Sequence, residues 1–164
     1  MHAGASAHRK PNTRKVGASM LLYASMLALA AASMPSEDIS INGPEGDLGG
    51  TWIKAADASA PVVLIIPGSG PTDRDGNSPL GINASTYRLL AEGLGQKGIS
   101  TVRVDKRGIG ASAGAVSDAN AVTIDDYVSD TRAWVDDIRR RSGKNCVWLL
   151  GHSEGGLVAL ATAQ

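Results

Sequence analysis

One cysteine, three histidines and no phenylalanine are the scarcities of this 164-residue chain. A lone cysteine, Cys146, rules out an intrachain disulfide and any multi-cysteine metal site. It lies in an apolar run, where a small buried side chain is expected. With aromatics at 4%, the core must rest on Val, Ile, Leu and Ala. Neither charge is in excess: 16 Lys and Arg face 16 Asp and Glu. No basic patch stands out, which argues against nucleic acid as a partner. No P-loop spelling occurs, and Gly108, Gly110 and Gly114 are spaced G-x-G-x-x-x-G, which misses the dinucleotide fingerprint. Asp73-x-Asp75-x-Asn77 begins like a calcium loop, but Ser78 stands where that loop needs Gly and Ala84 where it needs Glu. No metal site is expected.

The balanced charge hides an asymmetry. Arg9, Lys10, Arg14 and Lys15 precede Val16 to Ala32, which carries no charge. A basic start, an apolar centre around Leu21–Leu29 and small residues at Ala30-Ala31-Ala32 read as a secretory signal over residues 1–32. The expected product is secreted or periplasmic, with no stable membrane association after cleavage. An uncleaved membrane anchor is the alternative, though the stretch is short for a full span. The remainder, 33–164, fits one domain of ordinary globular composition.

Along that remainder, Asp38–Asn42 and Leu48–Lys54 flank a Gly/Pro turn and read as a hairpin. Val62–Ile66 is a continuous β-branched run, suited to a strand buried on both faces. Tyr87, Leu90, Ala91 and Leu94 recur at helical spacing, and Gly98 ends that helix. Ile99–Val104 is the next strand. Thr123 can cap a long helix whose stripe is Ile124, Tyr127, Val128, Trp134, Val135 and Ile138. Asp125 and Asp126 suit its positive end, Arg139–Arg141 its negative end, and Ser142-Gly143 its stop. Cys146–Leu150 is a last strand. The alternation implies βαβ units and a mostly parallel sheet with flanking helices.

That last strand runs into Gly151-His152-Ser153-Glu154-Gly155 and then into a small apolar helix. G-x-S-x-G between strand and helix spells a nucleophile elbow, with Ser153 as the nucleophile. Gly151 and Gly155 stand where a Cβ would crowd the neighbouring strand and helix. Glu154 contributes its backbone N–H to the oxyanion. The second oxyanion N–H is assigned to Ser69, with Gly70 next, in the Pro67-Gly68-Ser69-Gly70-Pro71 loop after the buried strand. Gly68, Gly70, Asp73, Arg74, Asp75 and His152 are expected to shape the substrate pocket.

Residues 67–77 read Pro-Gly-Ser-Gly-Pro-Thr-Asp-Arg-Asp-Gly-Asn, and 105–112 read Asp-Lys-Arg-Gly-Ile-Gly-Ala-Ser. With the elbow, these strings resemble bacterial esterases of the α/β-hydrolase family, from about Ile39 to Gln164. The resemblance implies hydrolysis of a small acyl ester through an acyl-serine intermediate, without a cofactor. It also implies a triad in the order Ser, acid, His. After Ser153 the sequence holds one acid, Glu154, inside the elbow, and no His. The expectation is the N-terminal half of an α/β-hydrolase fold, truncated after the elbow and inactive by itself. Left open are a non-catalytic binding module, an acyltransferase, a thioesterase or a peptidase on the same scaffold, and the oligomeric state.

Overall fold

The computed structural model describes Met1 and residues 34–164. The chain divides into two units, Met1–Ser33 and Met34–Gln164; the expected signal segment lies outside the described residues. Among these, no helix is long and apolar enough to cross a membrane.

Met34–Gln164 is an α/β unit built on one five-stranded sheet. Its strands are β1 (Ser36–Asn42), β2 (Asp47–Ile53), β3 (Val62–Ile66), β4 (Ser100–Val104) and β5 (Trp148–Gly151), in the order β1-β2-β4-β3-β5. The helices are α1 (Thr86–Gln96), α2 (Ile124–Ser142) and α3 (Glu154–Thr162). The expected hairpin is β1 and β2, paired antiparallel with Ile39 opposite Gly50. The sheet is more mixed than the sequence suggests, because β2 also pairs antiparallel with β4. Strand β3 is parallel to both β4 and β5. The parallel half is the half that matters for chemistry. Parallel neighbours bring their C-terminal ends to one rim, where ligands bind in open α/β sheets.

Side-chain alternation sorts the sheet's two faces. Leu48, Trp52, Leu64, Ile66, Val102 and Val104 point to one face and pack with Val128, Trp134 and Ile138 of α2 and Val158 of α3. Ile53 and Ile65 point to the other and meet Tyr87 and Ala91 of α1. Trp134 sits so close to β2 that a Cβ at Gly50 would lie 3.0 Å from its Cη2. Helix α2 begins as its sequence predicts. Thr123 accepts from Asp126 N–H while the Asp126 carboxylate accepts from Thr123 N–H, a reciprocal capping box. It ends on Gly143 in the left-handed conformation, φ 70°.

Two expectations need correction. Cys146 is exposed, not buried. The strand begins at Trp148, so Asn145-Cys146 belong to the approach, outside the ladder. Leu90 is exposed as well, with Leu89 beside it. Helix α1 buries Tyr87, Ala91 and Gly95, a narrower stripe than its leucines suggest.

Candidate active site

Strand β5 ends at Gly151, and α3 starts at Glu154. Only His152 and Ser153 join them. So abrupt a reversal forces Ser153 to φ 53° and ψ −118°. A non-glycine residue there is strained by about 1–3 kcal/mol, a cost usually found at functional sites. The turn is closed by Gly155 N–H donating to His152 O at 2.9 Å and Gly156 N–H donating to Ser153 O at 2.9 Å.

Close packing explains the flanking glycines. A Cβ on Gly151 would collide with the Gly155 carbonyl, and one on Gly155 with the carbonyls of Ile66 and, at 2.5 Å, Pro67. The obstacles are backbone, which cannot rotate away. Gly155→Ala is therefore expected to destabilise the protein by about 1–3 kcal/mol, read from a denaturant melt. An unchanged midpoint would contradict this packing.

The loop after β3 presses on the elbow. A Cβ on Gly68 would stand 2.9 Å from His152 Nδ1 and 3.4 Å from Ser153 Cβ. Ser69 is exposed next to it, and Ser153 is exposed too. Among the described residues, neither Ser69 N–H nor Glu154 N–H donates a hydrogen bond. Glu154 is the first residue of α3, where helical N–H groups are free by construction. Gly68, Ser69, His152 and Ser153 line a cleft of about 550 Å³, closed on its apolar side by Ile82, Tyr87, Leu90 and Leu150.

His152 is held at its Nδ1 by the Tyr87 hydroxyl at 2.8 Å. The same hydroxyl accepts from Gly68 N–H at 3.3 Å, so it ties the loop after β3 to the elbow. His152 thus fastens the elbow to α1.

Thr72 and Gly76 of the acidic loop line the cleft, but its charged residues do not. Asp73 Oδ1 accepts from the N–H groups of Asp75 and Asn77. Asp75 pairs with Arg103 of β4 at 2.6 Å. Asp105 accepts from Arg74 N–H at 2.7 Å and Ala111 N–H at 2.9 Å. Burial pushes the Asp105 carboxyl above the usual range, opposed by those two donors and the Arg74 charge. Asp73 lines a separate open depression with Asn77 and Asn83. Gly70, Arg74 and Asp75 are not among the residues of the Ser153 cleft. Three expected pocket residues (Asp73, Arg74 and Asp75) therefore shape the loop from behind.

A model described as serine aminopeptidase, S33, matches residues 80–164. The chain belongs to this family of α/β hydrolases. None of the curated proteins compared with it matches. Among solved structures, an α/β serine hydrolase without a lid from Xanthomonas campestris is 26% identical, at TM-score 0.58 over 78% of this chain and 55% of its own. A serine hydrolase homologue from Coxiella burnetii is 26% identical, at TM-score 0.56 over 77% and 56%. A dienelactone hydrolase from Anabaena variabilis, 20% identical, shares the fold at TM-score 0.63 over 80% and 58%. This α/β hydrolase chain spans about half the length of these three structures.

Two residues of this candidate site lie outside the sequence expectations. Tyr87 was read only as helix stripe, yet a buried tyrosine hydroxyl needs a partner. Lys106 sits one residue beyond Asp105, past the C-terminal end of β4. Its Nζ donates to Gly68 O at 2.7 Å and lies 3.3 Å from Glu154 Oε1. Its position at the sheet's C-terminal rim was the available signal.

Proposed function

We propose that the protein carrying this chain hydrolyses small carboxylic esters through an acyl-serine intermediate. The observation that supports this reading is the strained exposed Ser153, facing a cleft beside the unused N–H groups of Ser69 and Glu154. Ser153 Oγ attacks the ester carbonyl carbon and its proton passes to a base. The carbonyl oxygen, now an anion, is held by the two amides. Collapse breaks the ester C–O bond, and the leaving alkoxide takes the proton back. Water then repeats the attack on the acyl-serine and frees the acid.

The base is not identified in this chain. His152 is engaged at Nδ1 by Tyr87, and no histidine follows Ser153. We propose that the triad acid and histidine come from sequence outside these 164 residues, and that this chain is catalytically incomplete. Amide cleavage is the second reading, favoured by the aminopeptidase description of the matched family.

A panel of short acyl esters, thioesters and aminoacyl amides tests both. The full reading frame should turn over esters fastest, and the 164-residue chain should show no saturable turnover. Faster cleavage of aminoacyl amides would replace the ester assignment. Saturable, Ser153-dependent turnover by the 164 residues would overturn the incompleteness.

A further inference from the structure

We infer that Lys106 is a positioning residue for the oxyanion hole, acting through the Gly68–Ser69 peptide. This rests on the reading of Ser69 N–H as an oxyanion donor. Gly68 C=O and Ser69 N–H belong to one planar peptide unit, and in a trans peptide they point in opposite directions. Gripping the carbonyl therefore aims the N–H. Lys106 Nζ holds that carbonyl at 2.7 Å.

Three features make the grip firm. The Lys106 side chain is 9% exposed, so water competes poorly for its donors. Its ammonium lies 5.2 Å from the Tyr127 ring centroid, a cation–π distance. Its remaining contact is the Glu154 carboxylate at 3.3 Å. Glu154 carries the other free N–H, so one ammonium joins the two segments that supply the hole.

The charge also acts electronically. A cation on a carbonyl oxygen draws density through the amide and leaves its N–H a stronger donor, as in polarised hydrogen-bond chains. That gain matters when the substrate oxygen becomes an anion, and little when it is a neutral carbonyl. Lys106 therefore favours the transition state over the bound substrate.

Lys106→Met, in the full-length enzyme, keeps the apolar stem and removes the donor and the charge. Losing an oxyanion donor outright costs about 10²–10³-fold in kcat; misaiming one should cost about 10- to 100-fold, with KM within about twofold. Lys106→Arg should recover most of the loss. In an amide proton–nitrogen spectrum, the Ser69 N–H should move upfield in Lys106→Met and return in Lys106→Arg. If the methionine variant does not fold, Lys106→Leu, which also lacks donor and charge, carries the same two readouts. A wild-type kcat, a loss confined to KM, or an unmoved Ser69 resonance would overturn the inference. If Ser153→Ala leaves turnover intact, the serine-hydrolase reading has failed instead.

Discussion

Ser153→Ala is expected to lower kcat of the full-length enzyme by about 10⁶-fold, with the protein still folded. Three observations motivate so large a figure. Ser153 is the residue between β5 and α3 that takes the positive φ, it is exposed, and it opens on the cleft lined by Gly68 and Ser69. Without the hydroxyl no acyl-enzyme can form, and what remains is water attacking a substrate polarised by the Ser69 and Glu154 amides. Such residual catalysis is about 10³–10⁴-fold over water. Steady-state turnover and covalent labelling by a fluorophosphonate should both be lost. A variant that retains labelling would move the nucleophile elsewhere. One that keeps turnover without labelling would point to direct attack by water.

The largest stability effect is expected at Asp130→Ala, about 3–5 kcal/mol. Arg107 donates to Asp130 through Nε at 2.8 Å and through Nη2 at 2.6 Å, a two-pronged pair that joins the turn after β4 to α2. The arginine side chain is 4% exposed and the aspartate 11%. The hydrogen bond to Asp130 is the leading reason the guanidinium holds its proton even more tightly than usual. Removing the carboxylate strands a buried charge, which costs more than the pair itself contributes. Asp126 Oδ1, 3.4 Å from Nη1, softens the loss. Replacing both partners, as Arg107→Met with Asp130→Leu, should cost less than Asp130→Ala alone. Denaturant midpoints for the single and double variants decide it. A double variant less stable than the single one would mean the pair is more than a neutralised charge. Because Arg107 adjoins Lys106, a loosened turn should also lower activity.

Where the chemistry is spelled in consecutive residues, the sequence was legible. Gly151 to Gly155 announce a turn that only close backbone packing explains, and the turn is there. Thr123, Asp126 and Gly143 mark the ends of α2 because caps are local. The run Val62–Ile66 is buried as a run of that kind should be. What stayed hidden depends on segments far apart in the chain. Lys106 meets Gly68 and Glu154 across 38 and 48 residues, and nothing beside Lys106 in sequence hints at either. Tyr87 finds His152 across 65 residues. Asp73, Arg74 and Asp75 look like pocket residues in sequence because they follow the Pro67–Pro71 loop directly. Their side chains turn back instead to their own loop, to Arg103 of β4 and to Asp105 just beyond it, buried polar groups needing partners. Leu90 and Cys146 erred in the opposite sense: apolar character was read as burial, although single exposed apolar residues are ordinary.

The contorted backbone at position 153 sets durability against reactivity. Glycine would relax there at no steric cost, so every evolutionary drift toward a sturdier molecule pulls this codon away from serine. On the proposed mechanism, the need for an attacking oxygen opposes it. A descendant that has abandoned catalysis should betray the fact at this codon first.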